Sequence, residues 1–405
     1  MQKKPLVSIV IPVFNGENFL DDAIKSALNQ TYDNIEVLVI NDGSTDSTER
    51  IAKKYEDKIR YFYKENGGVS SALNFAIRNM KGEYFSWLSH DDYYHPSKIE
   101  YEIEAIQKQG DPEAIAYCNY DLLDQEKGIF SPYRIEDYYC EKDRANGILM
   151  LTQRMIGGCT LLIHISHFYR AGMFNEGLRT TQDYDMWFRI FRNIKLLHVP
   201  ESLVVTRIHK KQGSFTIKEF DAEREQLFLK ILKELSPMER VNIWGSEYTC
   251  LQNFYYFFEA YSMSEGCDYA KKQLYRYMEP TEIKQKQSKA KAEILQMTNR
   301  HISRIAILGA GDYGHRVLRL LQSRGIKVDI FLDNDSKKWG TQIDGIKCAS
   351  VESELNSRND ILVVMAAEQF GQMQKQLEKL QFTNVITKME LEGKLYNVPP
   401  LKDKI

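Results

Sequence analysis

Six cysteines in 405 residues, at Cys118, Cys140, Cys159, Cys250, Cys267 and Cys348, form no Cys-x-x-Cys pair and no cluster with histidine at zinc-ligand spacing. That scarcity argues against a disulfide scaffold and a structural zinc site, and the thiols are expected to be free, buried and in a reducing compartment. No stretch reaches the roughly 18 uninterrupted apolar residues of a spanning helix. The opening run Pro5-Leu6-Val7-Ser8-Ile9-Val10-Ile11-Pro12 is too short for a signal sequence and ends at a proline, so a cytoplasmic protein is expected, with membrane contact at most peripheral. The formal charge of −2 lacks the basic excess of a nucleic-acid binder, and nucleic acid is excluded as a partner on that balance. The oligomeric state is not legible. What remains, 43% hydrophobic and 27% charged residues, is the composition of an ordinary globular protein long enough for two or three domains.

Over the first 120 residues short β-branched runs alternate with helical patterns, the sign of a parallel α/β sheet. Val7 to Pro12, Ile35 to Asn41, Ile59 to Tyr63, Tyr84 to Leu88 and Ala114 to Asn119 read as strands. Glu17 to Asn29, Ser44 to Tyr55, Val69 to Met80 and Pro96 to Gln109 read as helices, with N-cap side chains in Ser44 to Ser47 and Pro96 as a first-turn proline. Farther on, a strand is expected at Thr160 to His164, a helix over Asp185 to Phe191, and strands at Lys195 to Val199 and Ser202 to Ile208. The spacing predicts one α/β domain over 1–215, a helical extension over 216–300 and a second α/β unit over 301–405. Within the extension, Lys271 to Arg300 holds eight basic against three acidic residues, which reads first as a solvated helical linker and second as a membrane- or polyanion-facing patch.

In an open parallel sheet, ligands lie beyond the carboxyl ends of the strands. Three polar clusters sit there: Pro12, Asn15 and Glu17 after the first strand; Asp42-Gly43-Ser44 after the second; Ser89-His90-Asp91-Asp92 after the fourth. A carboxylate such as Asp42 can accept from a base imide or a ribose hydroxyl. Asp91 and Asp92 are hard oxygen donors suited to Mg²⁺ or Mn²⁺, which can bridge a diphosphate. Without further context the same pair reads as a helix-start charge cluster, and so do Asp183 and Asp185.

These residues together resemble the inverting family 2 glycosyltransferases of the GT-A fold. The resemblance runs through Val7-Ser8-Ile9-Val10-Ile11-Pro12-Val13-Phe14-Asn15-Gly16-Glu17, Glu36-Val37-Leu38-Val39-Ile40-Asn41-Asp42-Gly43-Ser44-Thr45-Asp46, Asn66-Gly67-Gly68-Val69-Ser70-Ser71-Ala72-Leu73-Asn74 and Gly82 to Asp92, and covers roughly the first 215 residues. It implies a nucleoside-diphosphate sugar, a UDP-sugar first, as donor, and a glycan or lipid-linked acceptor in cell-surface polysaccharide synthesis. It places Pro12, Asn15, Glu17, Asp42, Asn74, Ser89 and Asp91 around the donor nucleotide, with Asp91, Asp92 and His209 at a Mn²⁺ or Mg²⁺ ion. The stretch Thr181-Gln182-Asp183-Tyr184-Asp185-Met186-Trp187-Phe188-Arg189 resembles the family's base-bearing region and makes Asp183 the base. Arg207-Ile208-His209 with Ser214 resembles the segment that closes over the diphosphate. Where the family has an acid, this chain has Ser89, which brings a hydroxyl and no charge.

At the C-terminal unit, Gly309-x-Gly311-x-x-Gly314 follows a strand and opens a helix, and Asp333 ends the next strand, as in dinucleotide-binding folds. The pattern supports a Rossmann-like fold and admits a second nucleotide site at Gly309, Gly311, Gly314 and Asp333. A complete NAD(H) site needs a second mononucleotide half, and the unit ends near residue 405, so a structural or partner-binding role fits at least as well. The competing class is a non-catalytic, dinucleotide-sensing regulator. Occupation of all three roles by Asp42, Asp91 and Asp183 argues for the enzyme.

Overall fold

The computed structural model describes residues 4–210, 212, 216–274, 276–277, 302–322, 324, 326–367, 371–388 and 390–391. Ser214 and most of the basic stretch up to Arg300 lie outside the described residues. Two compact units are present, Met1–Leu227 and Phe228–Ile405, and the boundary falls between those expected at 215 and 300.

The first unit is built on nine strands: β1 (Val7–Val13), β2 (Ile35–Asp42), β3 (Arg60–Lys64), β4 (Tyr84–Trp87), β5 (Tyr93–Tyr94), β6 (Ile115–Asp124), β7 (Ile129–Tyr133), β8 (Leu161–His164) and β9 (Leu196–Ile208). They lie in the order β3-β2-β1-β4-β8-β6-β9-β5, with β7 added on β6. The β3-β2-β1-β4 half is parallel, whereas β8 runs antiparallel to β4 and to β6. All seven residues of β1 are buried, as a parallel strand covered on both faces requires. On one face Ile9, Ile11 and Val39 pack with Leu20 and Ile24 from the helix Leu20–Leu28 and with Ile99 and Ile103 from the helix Lys98–Gln109.

Several elements differ from expectation for local reasons. The first helix begins at Leu20 rather than Glu17, because the Glu17 N–H donates to Asp46 Oδ2 at 3.1 Å and holds residue 17 in the preceding loop. The segment from Ser44 shrinks to Thr48–Ala52 plus a 3₁₀ turn, since the Ser44 hydroxyl accepts from the Asn15 N–H at 2.9 Å instead of capping a helix. Pro96 precedes the N-cap Ser97, and its carbonyl accepts from the Thr31 N–H at 2.8 Å. The two strands expected between Lys195 and Ile208 are one, β9, whose register against β6 shifts around Asn119.

In the second unit, helices Pro237–Trp244, Glu247–Ala260 and Ser264–Leu274 accompany a sheet in the order β12-β13-β11-β10-β14-β15. Its strands are β10 (Arg304–Leu308), β11 (Ile330–Leu332), β12 (Gln342–Ile343), β13 (Ile346–Ala349), β14 (Ile361–Met365) and β15 (Val385–Thr387), all paired in parallel except the β12–β13 hairpin. The Arg324 guanidinium donates to Glu259 Oε2 at 2.6 Å with both side chains buried, joining the helix Glu247–Ala260 to this sheet's helical layer.

Candidate active site

Parallel strands β1, β2 and β4 deliver their carboxyl ends to a cleft of about 470 Å³. Pro12 to Phe14, Asp42, Trp87 and Ser89 to Asp91 come from those ends, Asn66 to Ala72 from the turn and helix after β3, and Arg179, Thr180 and Gln182 from the start of the helix Gln182–Phe191. Of the residues placed at the nucleotide from the sequence, Pro12, Asp42, Ser89 and Asp91 line it.

The Asp42 carboxylate is clamped at the N-terminus of the helix Val69–Asn79. The Gly68 N–H donates to Oδ2 at 2.7 Å, the Gly67 N–H to Oδ1 at 3.0 Å, and Lys64 Nζ sits 2.5 Å from Oδ1. Gly68 has φ +86°, which a side chain would strain. A carboxylate has about four lone-pair sites, and the Gly67 N–H also reaches Oδ2 at 3.3 Å, so these bonds orient Asp42 and take up most of its acceptor capacity.

Asp91 and Asp92 are adjacent yet differently placed. Asp91 lines the cleft, and its Oδ2 lies 3.1 Å from His209 Nε2. Asp92 is buried, with the Arg207 N–H donating to Oδ1 at 2.9 Å and Cys159 Sγ 3.4 Å from Oδ2. Burial and then the Asp91 charge push the Asp92 carboxyl up to about 8, because two carboxylates this close do not both ionise in a dry setting. Ser89 stands against the same sulfur, its Oγ 3.4 Å from Cys159 Sγ, and an acid there would add a third carboxylate to the cluster. Arg207 is buried beneath the loop: its Nη1 donates to the Asp91 carbonyl at 2.9 Å and its Nη2 to Asp22 at 2.6 Å, with Tyr93 and Phe19 stacked on it. It braces the aspartate loop and does not itself line the cleft.

One carboxylate oxygen and one imidazole nitrogen form a donor pair that suits Mn²⁺, and Asp91 alone suits Mg²⁺. Among the described residues no three His, Cys, Asp or Glu side chains cluster tightly enough to enclose an ion. Of the residues placed at an ion from the sequence, Asp91 and His209 lie side by side, whereas Asp92 is buried.

Asp183 follows the cleft-lining Gln182 in the first turn of its helix. Its Oδ1 accepts from the Tyr184 N–H at 2.9 Å, and burial pushes its carboxyl up to about 6, with the nearby Glu223 charge adding to the shift. Asp185 is bound to Arg189, 3.0 Å from Nε, and Arg189 also donates to the Ala171 and Met173 carbonyls, so that acid anchors the helix.

Three residues expected at the nucleotide, Asn15, Glu17 and Asn74, are not among those that line the cleft. Asn15, at φ +50°, accepts from the Thr45 N–H, and Glu17 Oε2 accepts from the Ser47 N–H at 3.1 Å; both tie the β1 loop to the β2 loop. Asn74 is buried and holds the Phe174 backbone through both its amide atoms, at 2.8 and 2.9 Å. Gly158 carries a further packing demand, since a Cβ there would meet the Trp87 ring at 2.7 Å.

Sequence reasoning missed Trp87, Arg179, Thr180 and Gln182 as cleft residues, and missed Glu223 altogether. Glu223 lies in the first turn of the helix Phe220–Glu234 and receives the Arg179, Thr180 and Thr181 N–H groups and both threonine hydroxyls. Nothing in the spacing pairs residue 223 with residues 179 to 181; only folding does.

In the second unit Asp333 accepts from the Ala310 N–H at 2.7 Å, the Asp335 N–H at 2.8 Å and Lys338 Nζ at 3.0 Å. Burial would raise its carboxyl, but these bonds outweigh that and hold it below the usual range. Gly314 is sterically obligatory, because its Cβ would meet the Gly309 carbonyl oxygen at 2.0 Å, whereas Gly311 faces open space. The expected ribose acid thus takes three donors from its own chain, one on Oδ1 and two on Oδ2.

Residues 8–174 match the family model described as glycosyl transferase family 2, and residues 301–385 the one described as C2185-like, N-terminal. An uncharacterized glycosyltransferase of Rickettsia typhi is 46% identical over 255 residues, which make up 63% of this chain and 80% of that protein. One from Rickettsia conorii is 49% identical over 250 residues, 61% of this chain and only 41% of that longer protein. Among solved structures, S. aureus TarS 1-349 in complex with UDP-GlcNAc aligns with a TM-score of 0.52 at 14% identity, over 83% of this chain and 96% of that one, a likeness of fold. The α/β architecture is of the GT-A type.

Proposed function

This chain belongs to glycosyl transferase family 2, and from that premise we propose that it is an inverting, metal-dependent enzyme moving a hexosyl or N-acetylhexosaminyl group from a UDP-sugar to a glycan or lipid-linked acceptor of a cell-surface polysaccharide. The observation that carries the reading is the meeting, in one cleft, of Asp42, Asp91 and the Gln182 start of the helix that bears Asp183, residues from three distant segments.

In this reading Asp42 accepts from the uracil imide N–H in place of the long Gly67 contact to Oδ2 at 3.3 Å, while Lys64 and the two glycine amides keep its carboxylate aimed. Asp91 and His209 hold Mn²⁺ or Mg²⁺, which when bound supplies positive charge to the donor diphosphate. Asp183 takes the proton from the acceptor hydroxyl as that oxygen attacks the anomeric carbon from the face opposite the diphosphate. A base with its proton affinity near 6 is largely ionised at neutral pH and still a better acceptor than an ordinary aspartate. The C-terminal unit acts in this reading as a Rossmann-like structural or partner-binding module.

The test is hydrolysis of a panel of nucleotide sugars, with and without Mn²⁺ or Mg²⁺, by the unmodified protein and by Asp91→Ala, alongside a titration with NADH. Metal-dependent turnover of one donor that vanishes in Asp91→Ala supports the transferase and identifies its donor. No turnover of any donor, together with tight NADH binding, replaces it with a dinucleotide-sensing regulator.

A further inference from the structure

The cleft is poor in positive charge for a diphosphate site. Its carboxylates Asp42 and Asp91 repel a phosphate, and the cations nearest them are committed: Lys64 to Asp42, and Arg207 to Asp22 and the Asp91 carbonyl. Among the described lining residues Arg179 carries the one fixed positive charge, and its side chain is exposed.

Arg179 is held there by an unusual device. Glu223 Oε1 accepts the Arg179 N–H at 2.9 Å, while Oε2 accepts the Thr180 N–H at 2.7 Å, the Thr181 N–H at 2.9 Å, and the two hydroxyls at 2.5 and 3.1 Å. Five donors on one carboxylate fix the backbone of three consecutive residues immediately before the helix that carries Asp183. Hydrogen bonds to an ionised acceptor are the strong kind, and a free loop would pay conformational entropy to reach one geometry on ligand binding.

We propose that Arg179 binds the diphosphate of the donor and that Glu223 is the positioning residue that keeps it in the cleft; this rests on the transferase reading above. A guanidinium matches phosphate oxygens with two parallel N–H donors, whereas the nucleoside is held elsewhere, at Asp42. The assignment therefore separates diphosphate affinity from nucleoside affinity.

The experiment titrates UDP, GDP, uridine and guanosine, in the presence of Mn²⁺, into the full chain and into Arg179→Gln, Glu223→Gln and Glu223→Ala, with amide hydrogen exchange at residues 179–181 on each. Arg179→Gln is expected to weaken the nucleoside diphosphate on the order of tenfold and leave the nucleoside unchanged. Glu223→Ala is expected to lose as much and to speed exchange at the three amides, and Glu223→Gln, which keeps one acceptor oxygen, to fall between. Wild-type UDP and GDP affinity in Arg179→Gln, or an equal loss for diphosphate and nucleoside, overturns this assignment alone. Failure of the unmodified protein to bind either nucleoside diphosphate overturns the transferase reading and the assignment with it. Slow exchange at residues 179–181 in Glu223→Ala removes Glu223 from its role even where Arg179 keeps its own.

Discussion

Asp183 offers a test in which activity and stability move in opposite directions. Its carboxyl is pushed up to about 6 chiefly by burial. As the proton acceptor it would be about one-tenth ionised at pH 5 and about nine-tenths at pH 7, so kcat/KM should fall about tenfold over that interval, whereas an ordinary aspartate near 3.9 would leave it almost flat. Asp183→Asn should cost on the order of 10²–10⁴ in kcat, the usual worth of a positioned base. The linkage runs the other way. A folded-state value above the unfolded one means the folded protein prefers the neutral carboxyl, so its contribution is full below about pH 4 and is lost as pH rises through about 6. Two pH units correspond to at most ~3 kcal/mol, and partial access to water reduces that to ~1–2 kcal/mol. Asp183→Asn should therefore be inactive yet raise Tm at pH 7 by about 2–6 °C, with no gain at pH 4. The assays are transfer rate against pH and calorimetric melting at the two pH values. A flat rate between pH 5 and 7, or an Asn variant within tenfold of the unmodified protein, removes Asp183 as the base; an Asn variant no more stable at pH 7 removes the burial argument.

The buried neighbour of the metal-side acid should behave as a neutral group: Asp92→Asn is expected to unfold in urea at pH 7 within ~1 kcal/mol of the unmodified protein, whereas Asp92→Ala, which leaves the Arg207 N–H without its acceptor, should cost ~1–3 kcal/mol. Equal losses in both variants would mean that Asp92 is charged in the folded state. Behind the same loop, Lys98 and Glu102 form an ion pair at 2.7 Å with both side chains fully buried. Lys98→Met alone should cost ~3–5 kcal/mol in guanidinium unfolding, and the double variant with Glu102→Leu should recover most of it, because the penalty lies in a stranded charge.

Much of this protein is legible in its residue order. Short apolar, β-branched runs located β1, β2, β4 and β8 to within a residue or two, since strands covered on both faces are apolar almost throughout. Polar residues directly after such strands must fall at the sheet's carboxyl edge, which is why Pro12, Asp42, Ser89 and Asp91 could be placed in a cleft before any fold was seen. Boundaries set by side chains from other segments were not legible: the first helix starts late because Asp46 holds residue 17, and Pro96 stays outside its helix. The same limit applies to roles. Asp91 and Asp92 are neighbours of identical chemistry, and only the fold turns one inward, where burial and then the Asp91 charge push its carboxyl up, while the other faces the cleft. Asn15, Glu17 and Asn74, expected at the nucleotide, are engaged with the Thr45, Ser47 and Phe174 backbone. Glu223, 42 positions from Thr181, carries no motif at all. Sequence determines which groups exist and which strand end they follow; proton affinity, and which lone pairs remain for a ligand, depend on what the tertiary fold packs within a few ångströms.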